Sequence, residues 1–239
     1  MDQAPVWLRR RSTGVGRPAE RSQEEVTAAA IELADLDGLV AVSMRGVAGR
    51  LGTGAASLYR YVSGRDDLLD LMIDEVAAGY ELPPPTGPWL PGLVEVGRQA
   101  RALMLRHPWL PELVLTRPVI GPHGVDLLEH VLALLADHPA APARKLEAFA
   151  VMNATTAAFA LNELGAAERP AHGAGDAVRA ARPARAAGRP DAYLAHAMAA
   201  GGHPHLTAAL AGMTPTAVNS GDRFESVLAD VLTGLLGPA

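Results

Sequence analysis

Residues 46–69 read "GVAGRLGTGAASLYRYVSGRDDLL", and the order of small, apolar and basic side chains in this stretch decides the fold. Ser43, just ahead of it, can cap a short helix that turns Val47, Ala48 and Leu51 inward, and Gly52 stands where helices commonly end in a left-handed residue. Two or three residues, "GTG" or "TG", then lead into a third helix, "AASLYRYV". Two short helices joined by so tight a glycine-containing turn have the pattern of a helix-turn-helix. Between Gly38 and Arg65 there are four arginines and no carboxylate, which suits a surface that meets a polyanion.

Upstream, "SQEE" places Ser22 and Glu25 at capping-box spacing, with Val26, Ala30, Leu33 and Ala34 as the buried stripe of a first helix and Gly38 as its end. Downstream, "SGRD" repeats the spacing with Ser63 and Asp66. The helix from Arg65 to about Gly79 carries Leu68, Leu69, Leu71, Met72, Ile73 and Val76 on more than one face, so it should touch the small domain on one side and another layer on the other. The prolines of "LPPPTGPWLPG", residues 82–92, cannot continue that helix and mark a domain boundary. Beyond it, helical patterns run from about Leu93 to Arg106, His123 to Asp137, Lys145 to Leu164 and Arg223 to Leu236, with a shorter one near Tyr193 to Ala199.

Alanine and leucine dominate, β-branched runs are scarce, and nearly half of the 239 residues are apolar. This composition predicts an all-α protein with a substantial core. The expected organisation is a flexible basic arm over 1–21, a three-helix DNA-binding domain with the helix-turn-helix over 22–80, and a larger helical domain over 81–239. Residues 165–190, low in large apolar side chains, form a mobile loop in this reading. The absence of cysteine excludes disulfides, thiolate metal sites and thiol catalysis. No signal peptide is legible, and the run from Ala148 to Asn162 is too short and polar to span a bilayer, so a cytoplasmic protein without membrane association is expected. The net charge is -5, yet residues 1–65 hold nine arginines against seven carboxylates, a balance of +2 that leaves about -7 elsewhere. The asymmetry marks the N-terminal quarter as the nucleic-acid face.

A recognition helix needs short or polar residues at its exposed end and bulky ones behind. Thr53, Gly54, Ala55, Ala56 and Ser57 form the near-surface group, and Leu58 and Val62 the packing face. Tyr59, Arg60 and Tyr61 can lie along the phosphates, while Arg45 and Arg65, each at the start of a helix, flank the groove. The alternative for any single residue is a solvated arginine or a core tyrosine.

The stretch "SMRGVAGRLGTGAASLYRYVSGRDDLLDLM" (43–72) resembles the DNA-binding domain of TetR-type transcriptional repressors over roughly residues 20–75. Ala55 and Ala56 offer bases no hydrogen bonds, which shifts weight to Arg45, Ser57, methyl contacts and DNA shape. "LTRPVIGPHGVDLLEHVLALLADH", "AFAVMNATTAAFALNELG" and "FESVLADVLTGLL" are similar to the C-terminal domain of the tetracycline-repressor branch, which is all-helical, holds a small-molecule pocket and dimerises through a four-helix bundle. The resemblance implies a homodimeric repressor that binds a pseudo-palindromic DNA operator and is released by an effector.

Two apolar stripes are available for a dimer: Leu128, Val131 and Leu135 on one helix, and Phe224, Val227, Leu228, Val231, Leu232 and Leu235 on the last. Burial against the chain's own core is the alternative. Pocket candidates are Met104, His107, Trp109, Thr116, Arg117, Phe149, Met152, Asn153, Thr156, Phe159 and Asn162, a mostly apolar set with a few polar groups. Tetracycline repressors place a metal-binding histidine three residues before the threonine of their "TRP" segment; here that position is Leu113. An apolar or amphipathic effector bound without metal is therefore expected, and no cofactor.

The rival readings are a regulator without a small-molecule ligand and an α-helical enzyme. "HPH" at His203–His205 invites a metal or acid–base role, but it lies in a Gly/Pro turn without a nearby carboxylate. No phosphate-cradling loop, H-E-x-x-H or nucleophile elbow occurs.

Overall fold

The computed structural model describes residues 5–9, 21–117, 121–167, 193, 196–198, 201–211 and 220–237. Among these there is no strand, and ten α-helices follow a short 3-10 turn at Val6–Leu8. They are α1 (Gln23–Asp37), α2 (Met44–Arg50), α3 (Ala55–Leu58), α4 (Arg65–Ala77), α5 (Trp89–Arg106), α6 (Leu110–Thr116), α7 (Pro122–Leu134), α8 (Pro142–Ala167), α9 (Pro204–Ala211) and α10 (Ser220–Leu236). Contacts divide the chain into one unit of Met1–Leu164 with Gly221–Ala239, and another of Gly165–Ser220. In the second, α9 is described, residues 193 and 196–198 are helical, and His203 and His205 stand exposed at the start of α9.

Local chemistry sets the first boundaries. The Ser22 hydroxyl accepts from the Glu25 amide at 3.1 Å while the Glu25 carboxylate accepts from the Ser22 amide at 3.2 Å. This full capping box satisfies two N-terminal donors of α1 at once. Gly38, with φ 76°, ends the helix. α4 differs from its expected start: Gly64 occupies the cap position, and Ser63 is tied to Asp67 instead of Asp66. α5 starts at Trp89, earlier than its proline content suggested, because Pro91 sits in the first turn, where a missing N–H costs no intrahelical bond. α6, with Pro111 in its first turn, escaped the sequence reading for the same reason.

Two cores hold the first unit. One joins α1–α4 to α5, α6 and part of α8, with Val26, Leu58, Leu68 and Met72 completely buried. The helices on both sides of the proline-rich segment share this core, so they pack as one body. The other core brings Leu93 and Val96 of α5 together with Leu127 and Val131 of α7, Met152 of α8 and Phe224, Leu228 and Leu232 of α10. α10 approaches α5 at Gly97, where a Cβ would overlap Leu228.

This second core corrects the dimer assignment. Val131, Leu135, Phe224, Leu228 and Leu232 are buried within their own chain. The apolar stripes of α7 and α10 turn inward and satisfy their hydrophobic faces locally. Leu128, Val227, Val231 and Leu235 remain half-buried, the last three at four-residue spacing along α10.

The N-terminal arm is also corrected where it is described. Pro5–Arg9 is docked, with Val6 at 6% exposure inside the first core and Trp7 packed against it. Residues 10–20 and 168–190 lie outside the described residues, as does most of the helix expected near Tyr193.

Candidate DNA-binding face and effector cavity

The α2–turn–α3 unit is built mainly from backbone. The Ser43 hydroxyl accepts from the Gly46 amide at 3.0 Å, Gly52 takes φ 66°, and the Thr53 amide donates to Ala48 O at 2.9 Å. The Thr53 and Ser57 hydroxyls lie 2.9 Å apart, and Ser57 Oγ donates to Gly54 O at 2.7 Å. α3 is a single turn, shorter than expected, and Leu58 and Val62 lock it to the core. Arg45 of α2 and, in and around α3, Gly54, Ala56, Tyr59 and Arg60 are exposed, and Thr53, Ala55 and Ser57 are half-exposed. Tyr59, 58% exposed, is the large ring available to a partner.

Two assigned residues do different work. Arg65 Nε donates to Val42 O at 2.8 Å and its Nη2 to Leu39 O at 2.9 Å, fastening α4 to the α1–α2 connection. Tyr61 packs against the first core with its hydroxyl buried and unpartnered. Arg60 covers the Tyr61 ring, 5.8 Å from its centroid, within cation–π range. Sequence reasoning missed Arg21, whose Nη2 donates to Leu51 O at 3.0 Å, and Gln23, whose amide donates to Tyr61 O at 3.1 Å. Both tie the start of α1 to the recognition unit.

α4 leaves this unit as an acidic helix, and its four aspartates each meet a basic residue from another element. Arg117, just past α6, donates from Nη1 to Asp66 at 3.0 Å and from Nη2 to Asp70 at 2.8 Å. Asp67 pairs with Arg9 and Asp74 with His123. Burial alone would lower the Arg117 pKa, but Asp70 and Asp66 outweigh it and hold the guanidinium charged. His107 and Trp109 both reach Asp35 at the end of α1, at 2.9 and 2.7 Å.

Past Asp70 one face of α4 is apolar, and Ile73, Val76 and Ala77 form a wall of a cavity of about 410 Å³. Of the candidates from sequence, Met104, Arg117, Phe149 and Asn153 line it. Phe149 and Asn153, four residues apart, share one stripe of α8. Met152, Thr156 and Phe159 occupy the neighbouring stripe and pack inward; Thr156 donates to Met152 O at 2.8 Å, and Phe159 meets Phe224 edge-on at 5.3 Å. His107 and Trp109 are spent on Asp35. Thr116 is exposed and bonds back to Glu112 O, and Asn162 is exposed. Leu113, in the position noted for metal binding, is buried in the first core.

Among the described residues the lining holds no carboxylate, and the charge it carries there, Arg117, is offset by two aspartates. Burial pushes the Tyr80 phenol far above its ordinary range, so it remains a protonated donor. The Asn153 amide makes no hydrogen bond among the described residues, which leaves its donors and acceptor to an occupant. Tyr80, Ile73, Val76 and Gly124 were absent from the sequence candidates, although the two-faced apolar pattern of α4 signalled that its second face covers something.

Comparison with known proteins agrees with this arrangement. Residues 26–72 match the family model described as bacterial regulatory proteins, tetR family, and residues 83–237 the tetracyclin repressor-like C-terminal domain. The chain is 42% identical over 132 residues to the HTH-type transcriptional repressor DrrR1 of Streptomyces coeruleorubidus, a match covering 54% of this chain and 49% of that protein. It is 39% identical over 132 residues to an HTH-type transcriptional regulator of Saccharopolyspora erythraea, covering 55% and 56% of the two chains. The matches thus span about half the length of these curated relatives. Apo ActR of Streptomyces coelicolor superposes with a TM-score of 0.70 at 28% identity, over 90% of this chain and 97% of that one. ActR in complex with actinorhodin gives 0.71 at 26% identity, over 91% and 96%. With both models matched and the second spanning well over half of its length, the chain belongs to the TetR family of bacterial regulatory proteins.

Proposed function

We propose that this protein is a ligand-responsive transcriptional repressor, a cytoplasmic homodimer that binds a pseudo-palindromic operator and leaves it when a small molecule fills the cavity. The observation that carries the reading is α4 itself. Its first residues follow directly on the helix-turn-helix, and its last ones wall the cavity, so an occupant and the recognition unit share one rigid element. Arg45, Thr53, Gly54, Ala56, Ser57, Tyr59 and Arg60 contact DNA, with the family's two-domain division placed near residues 80–81. The dimer uses the half-buried Val227, Val231 and Leu235 of α10.

The effector is a neutral or anionic, largely apolar ring system with oxygens for Tyr80 and Asn153. Among the described residues the lining supplies no anion for a cationic ligand, and about 410 Å³ lies within the range of small-molecule sites. ActR, in complex with actinorhodin or (S)-DNPA, lends the same direction. No metal is required, since Leu113 offers no ligand atom.

The test is a titration of the protein onto the DNA upstream of its own gene, followed by actinorhodin as a first probe. Salt-sensitive, site-specific binding that the probe reverses is expected. Specific binding that no aromatic probe reverses would favour a regulator without a small-molecule ligand.

A further inference from the structure

The docked N-terminal segment Pro5–Arg9 touches α4 at two places that serve different parts of the molecule. At one end, Arg9 forms a two-pronged pair with Asp67, its Nη2 lying 3.0 Å from Oδ1, and its Nη1 donates to Ser63 Oγ at 2.9 Å. Asp67 also accepts from the Ser63 amide at 2.6 Å and hydroxyl at 2.7 Å. This cluster closes the junction between the recognition unit and α4.

At the other end, Trp7 lies over Gly121 at the start of α7. A Cβ there would come within 2.6 Å of Trp7 Cζ2 and would overlap the Asp74 carboxylate. Asp74 is buried, and it holds α7 through the Gly124 amide at 3.1 Å and His123 Nδ1 at 3.0 Å. Gly124 lines the cavity. Asp67 and Asp74 are seven residues apart, about 10.5 Å along the helix axis, and the segment Val6–Arg9 bridges that span on the outside of α4.

We propose that Pro5–Arg9 is a brace that locks the start of α7, and with it one wall of the cavity, to the junction below the recognition unit. Trp7 covers the Asp74–Gly121 seam and keeps water from its hydrogen bonds. Arg9 holds Trp7 in place from the far end. Parting α4 from α7 then requires the brace to lift, so the brace sets how strongly cavity occupancy is transmitted to α3. The transmission clause rests on the regulator reading; the mechanical coupling does not.

Hydrogen exchange of the full chain, read by mass spectrometry without DNA or effector, tests the coupling. Arg9→Ala should accelerate exchange in the peptide covering residues 121–127 by about tenfold or more while the α8 amides of residues 150–160 stay unchanged. His123→Ala should, reciprocally, accelerate residues 63–69. Should Arg9→Ala loosen the whole chain, Arg9→Lys, which keeps the charge and loses one prong, is read in the same way. Acceleration confined to residues 60–70 in the Arg9 variants, or confined to residues 121–127 in His123→Ala, would overturn the proposal and reduce the segment to a local cap. Because the measurement needs neither DNA nor effector, the brace can fail while operator binding stands, and operator binding can fail while the brace stands.

Discussion

The two ends of α4 are held by opposite kinds of force. Its first turns carry Asp66, Asp67 and Asp70, each paired with an arginine from a distant part of the chain. Its last turns carry Asp74, bonded to α7, and Ile73, Val76 and Ala77, which line the mostly apolar cavity. Between them Leu68, Leu69 and Met72 are fixed in the first core. The difference teaches which end can respond to what. The charged end is directional and answers to pH and salt, whereas the apolar end answers to anything of the right size. A ligand that fills the second can move the first only because the middle does not yield.

The middle should therefore be the most costly place to disturb. Met72→Ala, at a fully buried site, should destabilise the chain by about 2–5 kcal/mol, seen as an earlier urea midpoint. A midpoint within error of wild type would mean the two ends are not joined by a rigid core.

The charged end comes next. Asp67→Asn removes the carboxylate charge that Arg9 and Ser63 both meet and should cost about 1–3 kcal/mol. Burial raises the Asp67 pKa, but the hydrogen bonds from Arg9 and Ser63 outweigh it, and the carboxyl is held below its ordinary value. A depressed pKa contributes stability above the unfolded value, near 3.9, which is lost as pH falls through the folded one. Acid titration should show the wild type losing part of its advantage over Asp67→Asn below about pH 4. Parallel curves down to low pH would remove Asp67 from the account.

Arg65 and Tyr59 sharpen the contrast between side chains tied into the chain and side chains open to a partner. Arg65→Ala removes two hydrogen bonds to carbonyls and should cost about 1–2 kcal/mol, seen as an earlier urea midpoint. Tyr59→Ala should leave the midpoint unchanged and weaken operator binding by about tenfold, on the order of 1.4 kcal/mol. At the apolar end, Ala77→Leu should have the smallest effect on the apo protein, less than about 1 kcal/mol, because it grows into open volume. It should still abolish binding of a ring-system probe, measured by calorimetry. Undiminished probe binding would place the effector elsewhere.

These assignments also separate what was legible in the sequence from what was not. The recognition unit could be read because its geometry is local: Ser22 with Glu25, Ser43 with Gly46, and Gly52 with its positive φ are decided within four residues. Leu58 and Val62 follow from helical spacing. The carbonyl bonds of Arg65 and the buried hydroxyl of Tyr61 could not be read, because an arginine or a tyrosine reads alike whether it faces solvent or the chain's own interior. The cavity was harder still. A periodic pattern reveals that Phe149, Met152, Asn153 and Thr156 sit on a helix, yet not which stripe meets space and which meets Phe224. The same ambiguity misdirected the dimer stripe of α10, whose inner half belongs to the chain's own core. Arg9, Asp35 and His123 act through partners 49 to 74 residues distant, and no local rule finds them.

The measurement that bears most directly on the central claim is operator titration of wild type and Tyr59→Ala at two salt concentrations, against upstream and unrelated DNA. The account predicts tight, salt-sensitive and sequence-specific binding by wild type, weakened in Tyr59→Ala at unchanged fold. Equal, weak binding of both proteins to both DNAs would contradict it.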